Sequence, residues 1–176
     1  MFFDAGERQW WGRYLEAAPV GWAGSGDIDP RVIWSGTDPS GVAGPLSTGT
    51  GVGWGWLNTR RIIEHYPVSA AWMAASFRGG GFTDWFLPSK DELDALYTWC
   101  RDVGRDGVFW SSSVYEGNGG GVWTHDFSPV RPAVRPLKQD GPLGDTAISD
   151  AAKSRAYPEP EIETGQPLSV RPIRAF

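Results

Sequence analysis

The chain has 176 residues, a formal net charge of −5, and no apolar run near the roughly 18 residues that a membrane-spanning helix needs. That length suits one domain with a sizeable core, and an acidic balance of interspersed signs lacks the basic footprint of general nucleic-acid binding. Aromatics make up 14%, with 11 tryptophans, 24 glycines and 14 prolines, which favours short strands and loops over long helices.

The start, MFFDAGERQWWGRYLEAAP, has no basic region followed by an apolar stretch, so it does not read as a secretory signal. Met1–Phe3 is placed in a first strand and Tyr14–Ala18 in a second, with a turn between them. Residues 24–55 are loop-rich, and Asp38-Pro39-Ser40-Gly41 suits a type I turn. Asn58 is expected to cap a helix through Tyr66, which Pro67 ends by pushing its predecessor out of the helical region. Ser69 is expected to cap a second helix to about Phe77 that buries Trp72, Met73 and Phe77.

The segment from Gly79 to Trp99, GGGFTDWFLPSKDELDALYTW, carries the densest local instruction. A glycine turn leads into a short aromatic strand over Thr83–Leu87, which Pro88 stops by removing a ladder donor. Ser89 and Glu92 form a capping box, in which each side chain takes a backbone amide of the other's residue. Leu93, Leu96, Tyr97 and Cys100 come next at helical spacing as one apolar stripe, and Gly104 is placed to end the helix. Cys100 is the only cysteine, which excludes an intramolecular disulfide and makes a buried thiol the simplest reading.

Strands are expected at Phe109–Ser113, Val122–Phe127 and Ser169–Phe176. Residues 128–167 form a proline-rich insertion, basic at its start (Arg131, Arg135, Lys138) and acidic at its end (Glu159, Glu161, Glu163). So long a connection is functional or disordered more often than it is a plain loop. The expectation is one domain over residues 1–176, carrying the insertion at about 128–167.

Catalytic and metal-binding patterns are thin. The run Gly49–Gly55 lacks the third glycine of a dinucleotide loop and the Lys-Ser/Thr of a phosphate loop. His65 and His125 are far apart, and no Cys/His spacing fits zinc. Asp27 and Asp29 carry oxygens of the kind calcium takes, but they are also ordinary turn formers. Ser111, Ser112 and Ser113 have no Gly-x-Ser-x-Gly elbow, and neighbouring His125 and Asp126 would face opposite sides of a strand. No cofactor, no metal and no enzymatic activity are therefore expected. Trp72, Trp85 and Trp110 read as core, while Trp54, Trp56 and Trp123 lie on or beside glycine loops and are less securely buried.

The order YLEAAP, DWFLPSKDEL, FWSSS, VRPIRAF resembles the C-terminal domain family of collagen-like adhesins of the Lcl type. That family shares the C-type-lectin-like fold with formylglycine-generating enzymes and the variable proteins of diversity-generating retroelements. The resemblance covers roughly Phe2 to Phe127 and the last eight residues. It implies an α+β, C-type-lectin-like fold with two short helical regions around small antiparallel sheets, many loops, and paired first and last strands. It also implies that the chain is a domain cut from a longer protein or a short variant, since relatives carry a glycine-rich lead-in. The oxidase relatives use two cysteines, and the sugar-binding lectins use a Glu-Pro-Asn or Gln-Pro-Asp signature. This chain has neither.

The function implied by the resemblance is that of a non-catalytic module binding a glycan or protein through loops, on an extracellular surface or virion. Contacts would come from Ser113, Tyr115, Glu116, Asn118, Trp123 and His125, with Arg131 and Arg135 added from the insertion. A homotrimer and a polyanionic glycan are further implications, although the charge of −5 suits a polyanion only at the local basic patch. The alternative is an assembly domain of a phage tail, virion or surface appendage, with the insertion bound to a neighbouring subunit. No nucleic acid and no membrane insertion are expected.

Overall fold

A computed structural model describes residues 1–24, 26–36, 46–99, 107–115, 121–127 and 167–176. The chain is α+β, with three α-helices and two small sheets among the described residues. Strands β1 (Phe3–Gln9) and β2 (Gly12–Ala17) form a hairpin, and β3 (Arg31–Val32) begins the second sheet. Helices α1 (Gly55–His65), α2 (Ala70–Ser76) and α3 (Lys90–Trp99) follow. The long antiparallel pair β4 (Val108–Tyr115) and β5 (Gly121–Asp126) comes next, then β6 (Leu168–Ser169) and β7 (Ile173–Ala175). No helix of the described residues is long and apolar enough to cross a membrane.

The chain end was expected to pair with the first strand. Instead β7 pairs with β2, and the sheet order is β1-β2-β7. The residue pattern explains this. From Gly6 onward β1 is polar and exposed, which suits an edge, whereas β2 carries the fully buried Leu15. The final segment also serves both sheets rather than one. In the second sheet, ordered β3-β6-β4-β5, Leu168–Ser169 lies antiparallel to β3 and parallel to β4, so this sheet is mixed. The expected strand at Thr83–Leu87 reduces to a single bridge, in which Phe86 and Ile173 exchange backbone bonds of 2.8 and 3.0 Å.

Two apolar clusters form the core, and β4 feeds both because successive side chains on a strand point to opposite faces. Trp110 joins Trp34, Ile62, Leu87, Val122 and the α2 alanines, while Phe109 joins Leu15, Phe86, Leu93, Leu96 and Ile173. Trp85 is buried as expected, and Trp34 is wholly enclosed as well. Trp72 is a correction: it is exposed, because α2 turns its small Ala70, Ala71 and Ala74 inward for close packing. Tyr97 also leaves the expected stripe and stands 40% exposed, whereas Cys100 and Gly104 lie outside the described residues, as does the turn at 38–41.

Caps set the helix boundaries, with one surprise. Ser69 accepts from the Trp72 amide at 3.2 Å and starts α2 as expected. Helix α1 begins about a turn early at Gly55, with Trp54 as its cap residue, so Asn58 sits inside the helix. Its buried side chain instead brackets Gly49, accepting from that amide at 3.0 Å and donating to that carbonyl at 2.7 Å. At α3 the capping box is formed: the Ser89 amide donates to Glu92 Oε2 at 2.8 Å, and the Glu92 amide to Ser89 Oγ at 3.4 Å. Ser89→Ala should therefore lower stability by about 0.5–2 kcal/mol, read as a shift in a urea midpoint. A midpoint unchanged within error would remove the cap from the energetics.

Candidate functional site

The buried serines of β4 belong to the framework. The pairing of β4 with β5 shifts register between Trp110 and Val114, and that irregularity frees Ser111–Ser113 for other partners. Ser112 donates its amide and its hydroxyl to the Pro88 carbonyl, at 2.7 and 3.1 Å. Ser113 Oγ donates to the Gly49 carbonyl at 2.8 Å and accepts the Lys90 amide at 3.0 Å. Ser113 is thus a correction as a ligand contact: it is fully buried, and its hydroxyl is already committed on both sides. The same geometry leaves none of the three hydroxyls presented to a substrate.

His125 is likewise buried. Its ring lies 4.5 Å from that of Tyr97 and 5.2 Å from that of Phe127, which together shield it from solvent. Burial lowers its pKa, against the opposing pull of Asp94 and Asp126. His125 therefore packs β5 onto α3 and offers no surface contact, a second correction. A signal for this was available in the sequence, because His125 stands two residues before the apolar Phe127 and so shares its side of the chain.

What remains at the expected surface is aromatic. Tyr115, at the end of β4, is 39% exposed and meets Trp123 edge-on at 5.4 Å. Lys90 Nζ, at the start of α3, lies 5.3 Å from the centre of the Trp123 ring and 3.1 Å from Asp91 Oδ1. An aromatic pair, an ammonium and a carboxylate thus converge where two strands and a helix start meet. Their supports are rigid: β4 is buried along most of its length and α3 is capped. Glu116, Asn118, Arg131 and Arg135 lie outside the described residues.

Ion pairs inside the fold serve the last strand. Arg171, almost fully buried, donates from Nε to Asp29 Oδ2 at 2.5 Å, and Asp29 Oδ1 accepts from the Gly21 amide at 3.0 Å. Burial raises the Asp29 carboxyl, with Arg171 pulling the other way. Asp29, a candidate calcium ligand by sequence, is thus committed to an arginine. Arg174 reaches Glu16 at 3.2 Å and Asp84 at 3.6 Å, with its guanidinium 3.5 Å from the centre of the Phe82 ring. Among the described residues, no group of three His, Cys, Asp or Glu side chains is placed to hold a metal.

One aromatic cluster was not anticipated as a unit. Trp10 and Trp11 occupy the whole two-residue connection between the paired Gln9 and Gly12, beside Trp54 and Trp56 at the start of α1. The adjacent tryptophans between two short strands were the available signal. No family, curated protein or solved structure matches the chain.

Proposed function

We propose that this chain is a non-catalytic binding module of C-type-lectin-like fold that recognises a glycan or protein through the loops beside the β4–β5 hairpin. The observation that carries it is the Tyr115–Trp123 pair, an exposed tyrosine edge-on to a half-buried tryptophan on a largely buried strand pair, with Lys90 near the Trp123 ring. Large aromatics bury much area at low entropy cost, and a rigid support lowers the ordering penalty of binding. The resemblance carried by the YLEAAP, DWFLPSKDEL, FWSSS and VRPIRAF segments adds support.

Tyr115→Ala tests this reading. As a surface change it should move stability by about 0.5 kcal/mol or less. On a glycan array or against a surface protein, it should weaken binding of the intact chain by severalfold or more. Retention of full binding by this variant would place the contact elsewhere. A tight oligomer in light scattering that falls apart when residues 128–167 are deleted, with no retained ligand, would favour the assembly role instead.

A further inference from the structure

A cleft of about 270 Å³ is lined by Trp10, Trp11, Gly53, Trp56, Phe86 and Ala175. Trp54 stands edge-on to Trp10 at 6.4 Å, and the Arg60 guanidinium lies 5.0 Å from the centre of the Trp56 ring. None of these residues belongs to the Tyr115–Trp123 surface.

Three observations argue that this cluster serves a ligand and not only the fold. The first is position. A two-residue hairpin connection ordinarily takes Gly, Asn or Asp, yet here it is Trp-Trp, with Trp10 left 65% exposed. The second is support. Gly53 has φ of +95°, and a Cβ there would overlap the Trp11 ring, while a Cβ at Gly49 would overlap Trp54. The loop is thus shaped to let indoles lie on its backbone, and the buried Glu92 fixes it by accepting the Gly53 amide at 2.8 Å.

The third observation concerns the indole N–H groups. Trp22, Trp34, Trp85 and Trp110 each donate to a backbone carbonyl, at 2.8, 2.9, 3.3 and 2.8 Å. Trp10, Trp11, Trp54 and Trp56 have no such acceptor among the described residues. These four spend their polar handle on the fold, whereas the partly exposed indoles of the cleft, like the exposed Trp72 and Trp99 elsewhere, leave theirs open to solvent or to a ligand.

We infer that this cleft binds a gluco-configured pyranose of a glycan. Such a ring has equatorial hydroxyls and flat C–H faces. Its faces stack on the indoles, and its hydroxyls accept from the indole N–H groups and from Arg60. The cavity lies near the lower end of ligand-pocket sizes, about 300–1,000 Å³, which suits one sugar ring better than a long segment.

The experiment tracks the indole N–H resonances of the intact, ¹⁵N-labelled chain during titration with cellotetraose and chitotetraose. The signals of Trp10, Trp54 and Trp56 should shift with one of these sugars. Trp10→Ala and Trp56→Ala should each weaken that affinity about tenfold or more, as loss of an aromatic anchor does. Trp10→Phe, which keeps the ring and loses the N–H, should fall between. Melting curves confirm folding, and Trp72→Ala, an exposed indole on α2 outside both surfaces, should leave this affinity unchanged. The Trp123 indole signal reports the β4–β5 surface separately, so that failure here and failure there are distinguishable. The inference is overturned if neither sugar shifts the indoles at millimolar concentration, or if Trp10→Ala and Trp56→Ala bind as the parent does. It is equally overturned if only a proline-rich peptide of sequence SPVRPAVRPLKQD, or a second copy of the chain, perturbs these signals.

Discussion

Trp110→Ala should remove roughly 3–5 kcal/mol of stability, close to the whole margin of a small domain. Trp110 is fully buried on β4, and its indole N–H donates to the Val32 carbonyl at 2.8 Å. Truncation therefore empties a large volume and strips β3 of a bond from the strand two places away in the sheet. The cavity cannot close easily, because Trp34 and Ile62 on other elements also press on the same cluster. The check is a urea denaturation curve. A loss under about 1 kcal/mol would mean that the cluster is far looser than its burial implies.

Glu92→Ala should be comparably severe, at roughly 2–6 kcal/mol, since it orphans the buried amides of Ser89 and Gly53. Glu92 is completely buried, and that burial pushes its carboxyl up to about 7, while the backbone donors from Ser89, Gly53 and Gly55 oppose the rise. The direction of the shift sets the pH consequence. The folded state holds this proton more tightly than the unfolded chain, whose reference value is 4.5. The stabilisation is therefore fully present below about pH 4.5 and is lost as pH rises through about 7. Its size is on the order of 3 kcal/mol. His125 acts in the opposite sense, since its lowered pKa favours the folded state at higher pH. The test is thus a difference: melting temperatures from pH 4.5 to 7.5 for the parent and for Glu92→Gln. The parent should lose stability relative to the variant across that range, and parallel curves would contradict the assignment.

Local chemistry was the most legible part of the sequence. Ser69, Ser89 and Glu92 cap as their spacing says, because an N-cap needs only residues within one turn. Features that depend on distant partners were not legible. Asn58 looked like a cap, but its amide has a better use across the fold on Gly49. Trp72 looked like core, but three alanines on the same helix pack closer. Arg171 and Arg174 of VRPIRAF are both buried against acids far away in sequence, a partnership that no local pattern announces. Of the expected contact residues, Tyr115 stands at a surface with the half-buried Trp123 beside it, whereas Ser113 and His125 were absorbed by the core. A strand's alternation tells that one face is inward, but a register shift such as that after Trp110 changes which residues it selects.

The most direct measurement is a crystal structure of the intact chain with whichever glycan or protein ligand an array retains. Ligand density against Tyr115 and Trp123, with Lys90 within bonding reach and no change in the Ser111–Ser113 network, is the result expected for binding at the hairpin. Density confined to a surface without any of these side chains, or a ligand bound covalently at a serine, would contradict it.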